Sequence, residues 1–159
     1  MSQHLLNPLP AHTALVIFSH GSRDPQWREP IEAVAAQIRQ HSPHTPVACA
    51  YLELCAPSLA DAAIDLIAAR AGGIRVLRVF PLFLGQGRHA REDLPVLIEQ
   101  LRAAHPDVQV ELMPSAGEFP ALTAFLAGLA LNWQPQTSFS KEGANSRAEI
   151  SVSTTQVAP

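Results

Sequence analysis

The run Ala14-Leu15-Val16-Ile17-Phe18 is followed directly by Ser19-His20-Gly21-Ser22-Arg23, and this stretch decides the fold. Five apolar residues that include β-branched ones and end in a turn sequence predict a buried strand. His20 therefore stands just beyond the end of a strand, where its ring can face a ligand.

A second strand carries a second histidine beyond its end. Residues 74–80 alternate apolar and basic side chains and predict another strand, and the turn sequence after it leads to His89. If the two strands are parallel neighbours, both imidazoles open onto one edge of the sheet, where open α/β sheets bind ligands. The pair of histidines predicts a metal site.

Around these two strands, strand and helix patterns alternate four times. The predicted strands are Ala14–Phe18, Val47–Leu54, Ile74–Phe80 and Val108–Met113, and the predicted helices are Trp27–Gln40, Pro57–Ile67, Glu92–Ala104 and Glu118–Leu131. Right-handed βαβ connections then give an α/β fold with a four-stranded parallel sheet in the order 2-1-3-4, with helices on both faces. We expect residues 1–13 to be an extension, 14–131 to form the domain, whose core closes with the last helix, and 132–159 to be a disordered polar tail.

This topology brings polar side chains from several strands to one edge of the sheet. Ser19 and His20 follow strand one, Glu53 ends strand two, His89 follows strand three and residues 115–118 follow strand four. Two histidines and an acid are therefore expected to converge.

Composition limits the function classes. The chain has 159 residues, 47% hydrophobic and 16% charged, with a net charge of -3, which is typical of one globular domain without the basic excess of nucleic-acid binding. Met1 to Thr13 lacks the pattern of a secretory signal and no apolar run is long enough to span a membrane, so we expect a cytoplasmic protein without a membrane partner. Cys49 and Cys55 are interpreted as reduced packing residues, because positions in or beside one strand hold them apart.

Five segments in order resemble the short sirohydrochlorin chelatases of the CbiX type. The matching segments are residues 14–23, Tyr51-Leu52-Glu53-Leu54 with Pro57-Ser58-Leu59, Pro81-Leu82-Phe83-Leu84, Gly87 and His89 with Asp93-Leu94-Pro95, and Gly117-Glu118-Phe119-Pro120. Ser19 stands where that family often has a glycine. The resemblance implies a lyase-class chelatase that inserts a divalent metal into a tetrapyrrole.

The resemblance also implies roles for the residues at the edge of the sheet. His20 and His89 are expected to bind the metal and to accept protons from the macrocycle, with Glu53 assisting. A neutral imidazole binds cobalt, nickel or iron, and its ordinary pKa near ~6.5 allows proton acceptance close to neutral pH. Co²⁺ is the expected metal substrate, with Ni²⁺ or Fe²⁺ as alternatives, in either cobalamin or sirohaem synthesis, and no organic cofactor is expected.

Substrate binding and assembly follow from the same resemblance. The macrocycle carries carboxylate side chains, so Ser22, Arg23, Arg88 and Arg91 are assigned to them, since arginine binds carboxylates in a bidentate manner. Asp93 supports the first turn of the third helix or orients His89. One small domain offers half of a broad cleft, so a homodimer is expected.

Two other functions stay open at this point. A cobalt or nickel carrier could use the same ligands without a macrocycle. A histidine phosphatase also places His-Gly after its first strand, but it has an arginine before that histidine, where this chain has Ser19. Core packing is the default interpretation of Phe80 and Phe83.

Overall fold

The computed structural model describes residues 9–69 and 73–134 of the chain. The strands are β1 (Thr13–Ser19), β2 (Val47–Tyr51), β3 (Val76–Pro81) and β4 (Gln109–Leu112), and the helices are α1 (Glu29–His41), α2 (Leu59–Ala68), α3 (Arg88–Ala104) and α4 (Pro120–Leu131). Short 3-10 turns at Pro25–Arg28 and Ala116–Glu118 precede α1 and α4. Most of the predicted extension and of the predicted tail lies outside the described residues.

The four strands form one parallel sheet in the order β2-β1-β3-β4, which confirms the predicted topology. The central strand β1 is buried along its whole length, and its Ile17 pairs with Cys49 of β2 and Phe80 of β3. An entirely apolar run is needed there because both faces of a central parallel strand are covered. This strand order places the carboxyl end of β1 beside the carboxyl ends of β2 and β3.

Helices cover both faces of the sheet, as predicted. Side chains alternate along a strand, so Val16 and Phe18 of β1 pack in the core beneath α2 and α3, and Leu15 and Ile17 pack in the core beneath α1. A capping box between Ser58 and the residue three positions later begins α2.

The third helix begins earlier than the sequence indicated. We expected it to run from Glu92 to Ala104, because Leu94, Leu97, Ile98 and Leu101 form one apolar stripe. Instead α3 starts at Arg88 with Gly87 as its N-cap, and Pro95 lies inside the helix. Pro95 loses one backbone hydrogen bond, but Leu94 and Ile98 on either side are buried against the sheet. The prediction that His89 lies on a loop was therefore wrong, since it sits in the first turn of a helix.

The last helix differs more from expectation. It was predicted to close the core, yet α4 has no buried residue, and its main contact with the rest of the chain is the 3-10 turn before it.

Within the described residues, no helix combines the length and hydropathy that a membrane span requires.

Candidate active site

A pocket of about 420 Å³ opens at the carboxyl edge of the sheet. It is lined by His20, Leu52, Glu53, Gly87, His89, Ala90 and Asp93. The structure thus brings together both predicted histidines, the predicted acid and Asp93, although they come from three different segments of the chain.

His20 is held at this pocket by an aromatic neighbour. It follows the last residue of β1, and its ring centroid lies 4.4 Å from that of Phe83 with the ring planes 36° apart. Phe83 is 3% exposed and contacts Phe18 edge-on, with 6.0 Å between the ring centroids. The buried phenyl ring therefore restricts where the imidazole can point, a role that the sequence did not reveal beyond the position of Phe83 after β3.

Glu53 is tied to His20 through the backbone. The amide N–H of Glu53 donates to the carbonyl oxygen of His20 at 2.9 Å, and the N–H of Leu52 donates to the carbonyl oxygen of Ser19 at 2.8 Å. Gly21 passes so close that a Cβ there would lie 1.9 Å from the carbonyl oxygen of Glu53, and its φ of +98° is left-handed. Glycine is therefore required at position 21 for the two loops to cross at the site.

His89 and Asp93 both line the pocket from α3. They are four residues apart, and positions with that spacing share one face of a helix. Both are exposed, whereas Ala90 between them is buried against the core. The helix therefore presents an imidazole and a carboxylate to the pocket from a rigid element.

The loop between β3 and α3 is anchored to the turn after β4. The N–H of Gly117 donates to the carbonyl oxygen of Phe83 at 2.8 Å, and a Cβ at Gly117 would lie 1.9 Å from the carbonyl oxygen of Leu84. The side chain of Gln86 donates to the hydroxyl of Ser115. These contacts fix the segment that carries both the Phe83 ring and the start of the His89 helix.

The residues predicted to bind the substrate lie outside the pocket lining. Arg23, Arg88 and Arg91 are exposed, and none of them makes an ion pair within residues 9–69 and 73–134. The Ser22 hydroxyl accepts a hydrogen bond from the N–H of Asp24 at 3.1 Å. Ser22 therefore stabilises the turn that leads to α1, and the arginines remain available to a ligand.

The pocket does not contain a preassembled metal cage. In the described part of the chain, no three histidine, cysteine, aspartate or glutamate side chains are grouped so that they could hold a metal ion. His20, Glu53 and His89 share the pocket without forming a closed set of ligands.

Comparison with known proteins places this arrangement in a family. The sequence profile of the CbiX family matches residues 14–129, which span every strand and helix that lines or supports the pocket. The chain belongs to the CbiX family.

Among relatives, this CbiX chain is 31% identical to a sirohydrochlorin cobaltochelatase of Methanopyrus kandleri over 85 residues, 54% of this chain and 57% of that protein. The match spans only somewhat more than half the length of that relative. Among solved structures, a CbiX protein from Marinobacter aquaeolei VT8 has a TM-score of 0.63 at 31% identity, covering 75% of this chain and 94% of that one. A CbiX described as the terminal enzyme of sirohaem synthesis in denitrifying bacteria has a TM-score of 0.53 at 27% identity, covering 77% of this chain and 48% of that one.

The pocket of this CbiX chain can perform two kinds of chemistry. A neutral imidazole can donate a lone pair to a divalent metal or accept a proton, and two imidazoles with nearby carboxylates can do both in one place. The pocket is open at the edge of the sheet, so a ligand from solution can reach both imidazoles.

Proposed function

We propose that this chain is a sirohydrochlorin chelatase that inserts a divalent metal into the tetrapyrrole. One observation carries the proposal: His20 and His89 line a single pocket together with two carboxylates, in a chain of the CbiX family. The relative from Methanopyrus kandleri, named a sirohydrochlorin cobaltochelatase, supports the choice of substrate.

His20 and His89 act as metal ligands and then as proton acceptors. Insertion requires that two pyrrolic protons leave the macrocycle while its nitrogens replace the ligands already on the metal. An imidazole that has released the metal can take one of these protons, since its ordinary pKa lies near ~6.5. Glu53 attracts the cation and assists proton removal, and Asp93 orients His89 from the same helix face.

Three exposed arginines near the pocket supply positive charge for the carboxylates of the substrate. Arg88 and Arg91 lie in the first turn of α3, which contains no acidic residue and where the helix dipole is also positive. Arg23 follows the His20 loop and is equally exposed. These three arginines, with Ser22 holding the turn, bind the acidic side chains of the macrocycle by charge-assisted hydrogen bonds.

The proposal extends to the metal, the assembly and the location. Co²⁺ is the metal substrate, as the name of the Methanopyrus relative suggests, and imidazole ligands also accept Ni²⁺ or Fe²⁺. No organic cofactor takes part. The chain works as a homodimer in the cytoplasm, where thiols stay reduced, and Cys49 and Cys55 are both free.

The test is an anaerobic insertion assay with purified protein, sirohydrochlorin and Co²⁺, Ni²⁺ or Fe²⁺, followed by macrocycle absorbance against a protein-free control. We expect the fastest acceleration with Co²⁺, and His20→Ala and His89→Ala should each lower the rate about 100-fold, since each removes a ligand and a proton acceptor. His41→Ala is the matched control, because His41 is exposed at the far end of α1. Metal binding without acceleration would instead indicate a carrier.

Arg23→Ala tests the proposed substrate contact. Loss of one charge-assisted contact should raise the half-saturating concentration of sirohydrochlorin roughly tenfold, with a smaller loss of maximal rate. Arg75→Ala, an exposed arginine just before β3 at the opposite edge of the sheet, should leave both values unchanged. An unaltered half-saturation in Arg23→Ala would remove this residue from the binding site.

A further inference from the structure

Leu54 has a backbone conformation that leucine rarely adopts. Its φ of +66° lies in the left-handed region, and the N–H of Cys55 donates to the carbonyl oxygen of Glu53 at 2.8 Å. This hydrogen bond makes Leu54 the central residue of a γ-turn with positive φ, which is the rare and strained form. A bulky side chain is unfavourable in this conformation, whereas glycine adopts it without strain.

Neither hydrogen bonding nor burial of the side chain explains a leucine at this position. His12, which also has a positive φ, has a ring nitrogen 3.0 Å from the carbonyl oxygen of Gly73 and so forms a compensating hydrogen bond. Leucine has no polar side-chain atom that could form such a bond. The side chain of Leu54 is also 53% exposed, so burial compensates only in part. Strain that the fold does not require points to a function for the side chain.

The loop that carries Leu54 is fixed at its base and beside the pocket. Residues 52–57 follow β2, and the N–H of Tyr51 donates to the carbonyl oxygen of Pro57 at 3.0 Å, which joins the two ends of the loop. Within the loop, Glu53 is hydrogen-bonded to the segment after β1 and lines the pocket. Compact loops whose ends are joined are frequently functional. Leu54 is therefore held directly next to a residue of the pocket.

A second exposed leucine lies on the other side of His20. Leu84 is 71% exposed and directly follows Phe83, whose ring contacts the imidazole of His20. β1, which leads to His20, lies between β2 and β3 in the sheet, so Leu54 and Leu84 come from loops on opposite sides of it. Two strands that flank a third are roughly 10 Å apart. We call Leu54 and Leu84 the leucine pair.

We propose that the leucine pair contacts the flat apolar ring of the tetrapyrrole on both sides of His20, and that the strain at Leu54 is retained for this contact. The inference deepens the proposed function and rests on it. The carbon framework of the ring is apolar, and its carboxylates lie at the periphery. The leucine pair therefore recognises the ring, while the arginines recognise its charged rim.

The leucine pair makes the pocket selective for a broad ligand. Only a ligand wide enough to span three strands contacts both leucines, and covering a half-exposed leucine contributes about tenfold to affinity. A hydrated metal ion or a phosphate group is small and polar, so it gains nothing from these side chains. The pair thus favours a macrocycle over the ligands of a metal carrier or a phosphatase.

Leu54→Gly separates the strain from the contact. Because glycine adopts a positive φ freely, this variant should unfold at a urea concentration equal to or higher than that of the wild type. The dissociation constant of metal-free sirohydrochlorin, measured anaerobically by titration of macrocycle absorbance, should rise about tenfold, since the apolar contact is lost. Leu54→Met keeps an apolar side chain of similar volume and should bind within about threefold of the wild type.

Three further measurements show whether the effect is specific. Leu84→Ala should also weaken sirohydrochlorin binding about tenfold. Ile64→Ala is the matched control, because Ile64 on α2 is likewise 53% exposed but does not line the pocket, and its affinity should be unchanged. Binding of Co²⁺ alone, measured by calorimetry, should be the same in Leu54→Gly and the wild type, since an alkyl side chain is not a metal ligand.

Several results would overturn the inference. They are an unchanged sirohydrochlorin affinity in Leu54→Gly or Leu84→Ala, a clear loss of stability in Leu54→Gly, and a loss of Co²⁺ affinity as large as the loss of sirohydrochlorin affinity. Binding through the leucine pair without metal insertion would refute only the proposed function, because these titrations contain no insertion step. An active chelatase whose affinity does not depend on Leu54 would refute only the inference, and a wild type that does not bind sirohydrochlorin would refute both.

Discussion

At the scale of single residues, the ring contact between Phe83 and His20 restricts the imidazole of the proposed metal site. Phe83→Leu keeps most of the buried volume and should cost about 1 kcal/mol of stability, but it removes the flat surface that limits the imidazole. We expect metal insertion to slow roughly tenfold, since small misplacement of a reacting group is costly. The His20 ring signals in the NMR spectrum should also shift, because the ring current of Phe83 is lost.

Phe80→Leu provides the comparison for this prediction. Phe80 is a partly buried aromatic residue of β3, three positions before Phe83, but its ring contacts Phe119 and it does not line the pocket. It should affect stability to a similar extent while leaving the His20 signals unchanged. Equal loss of activity in both variants would show that Phe83 supports only the fold.

The buried phenol of Tyr51 should make the free energy of unfolding depend on pH in the alkaline range. Burial, with smaller effects from Cys49 and Glu32, raises the pKa of Tyr51 from 10.0 to about 12, and its hydroxyl is buried without a hydrogen-bond partner. The unfolded chain ionises first, so the stability that the neutral phenol contributes is complete below about pH 10 and is lost between about pH 10 and 12. Tyr51→Phe should be at least as stable at neutral pH, since the unsatisfied hydroxyl is removed.

Urea unfolding at pH 8 and pH 11 measures this effect. The loss of unfolding free energy between the two pH values should be smaller in Tyr51→Phe than in the wild type. Cys49→Ala measures the separate contribution of the Cys49 thiol to this loss, because burial also raises the pKa of that thiol. An identical loss in Tyr51→Phe would contradict the assignment.

At the scale of elements, the turn after β4 determines where the β3–α3 loop lies. Gly117→Ala places a Cβ against the carbonyl oxygen of Leu84, a backbone atom that moves only with its loop. We expect about 2 kcal/mol of destabilisation and lower insertion activity, because the displaced loop carries Phe83 and leads into the His89 helix. Gly85→Ala in the same loop has no neighbour within 4 Å of its added Cβ and should change neither quantity. Thermal unfolding and the insertion assay distinguish the two variants.

The sequence predicted the strands and their order well, but it predicted the start of α3 less well. The unbroken apolar run of β1 predicted a buried strand, and the strand order followed from four right-handed βαβ connections. The start of α3 was misjudged because its apolar stripe begins only at Leu94, while the burial of Ala90, one turn earlier, depends on tertiary packing. The contact of Phe83 with His20 joins two loops that are distant in sequence, so no local pattern could indicate it.

At the scale of the whole molecule, α4 shows why composition can mislead. An apolar pattern predicts burial but does not say against which surface, and we expected α4 to close the core of its own domain. In the structure α4 has no buried residue, and its main contact is with the turn Ala116–Glu118 before it.

The last prediction concerns how many chains contribute to one pair of the proposed catalytic histidines. His20 and His89 line the same pocket within one chain, so a dimer does not need to combine one histidine from each copy. Inactive His20→Ala and His89→Ala proteins, mixed and allowed to exchange subunits, should therefore remain inactive in the insertion assay. Wild type mixed with His20→Ala is the control, and it should retain activity in proportion to the wild-type chains. Recovery of activity in the first mixture would mean that the histidines act across the interface, and the pocket would then have to be assigned to two chains.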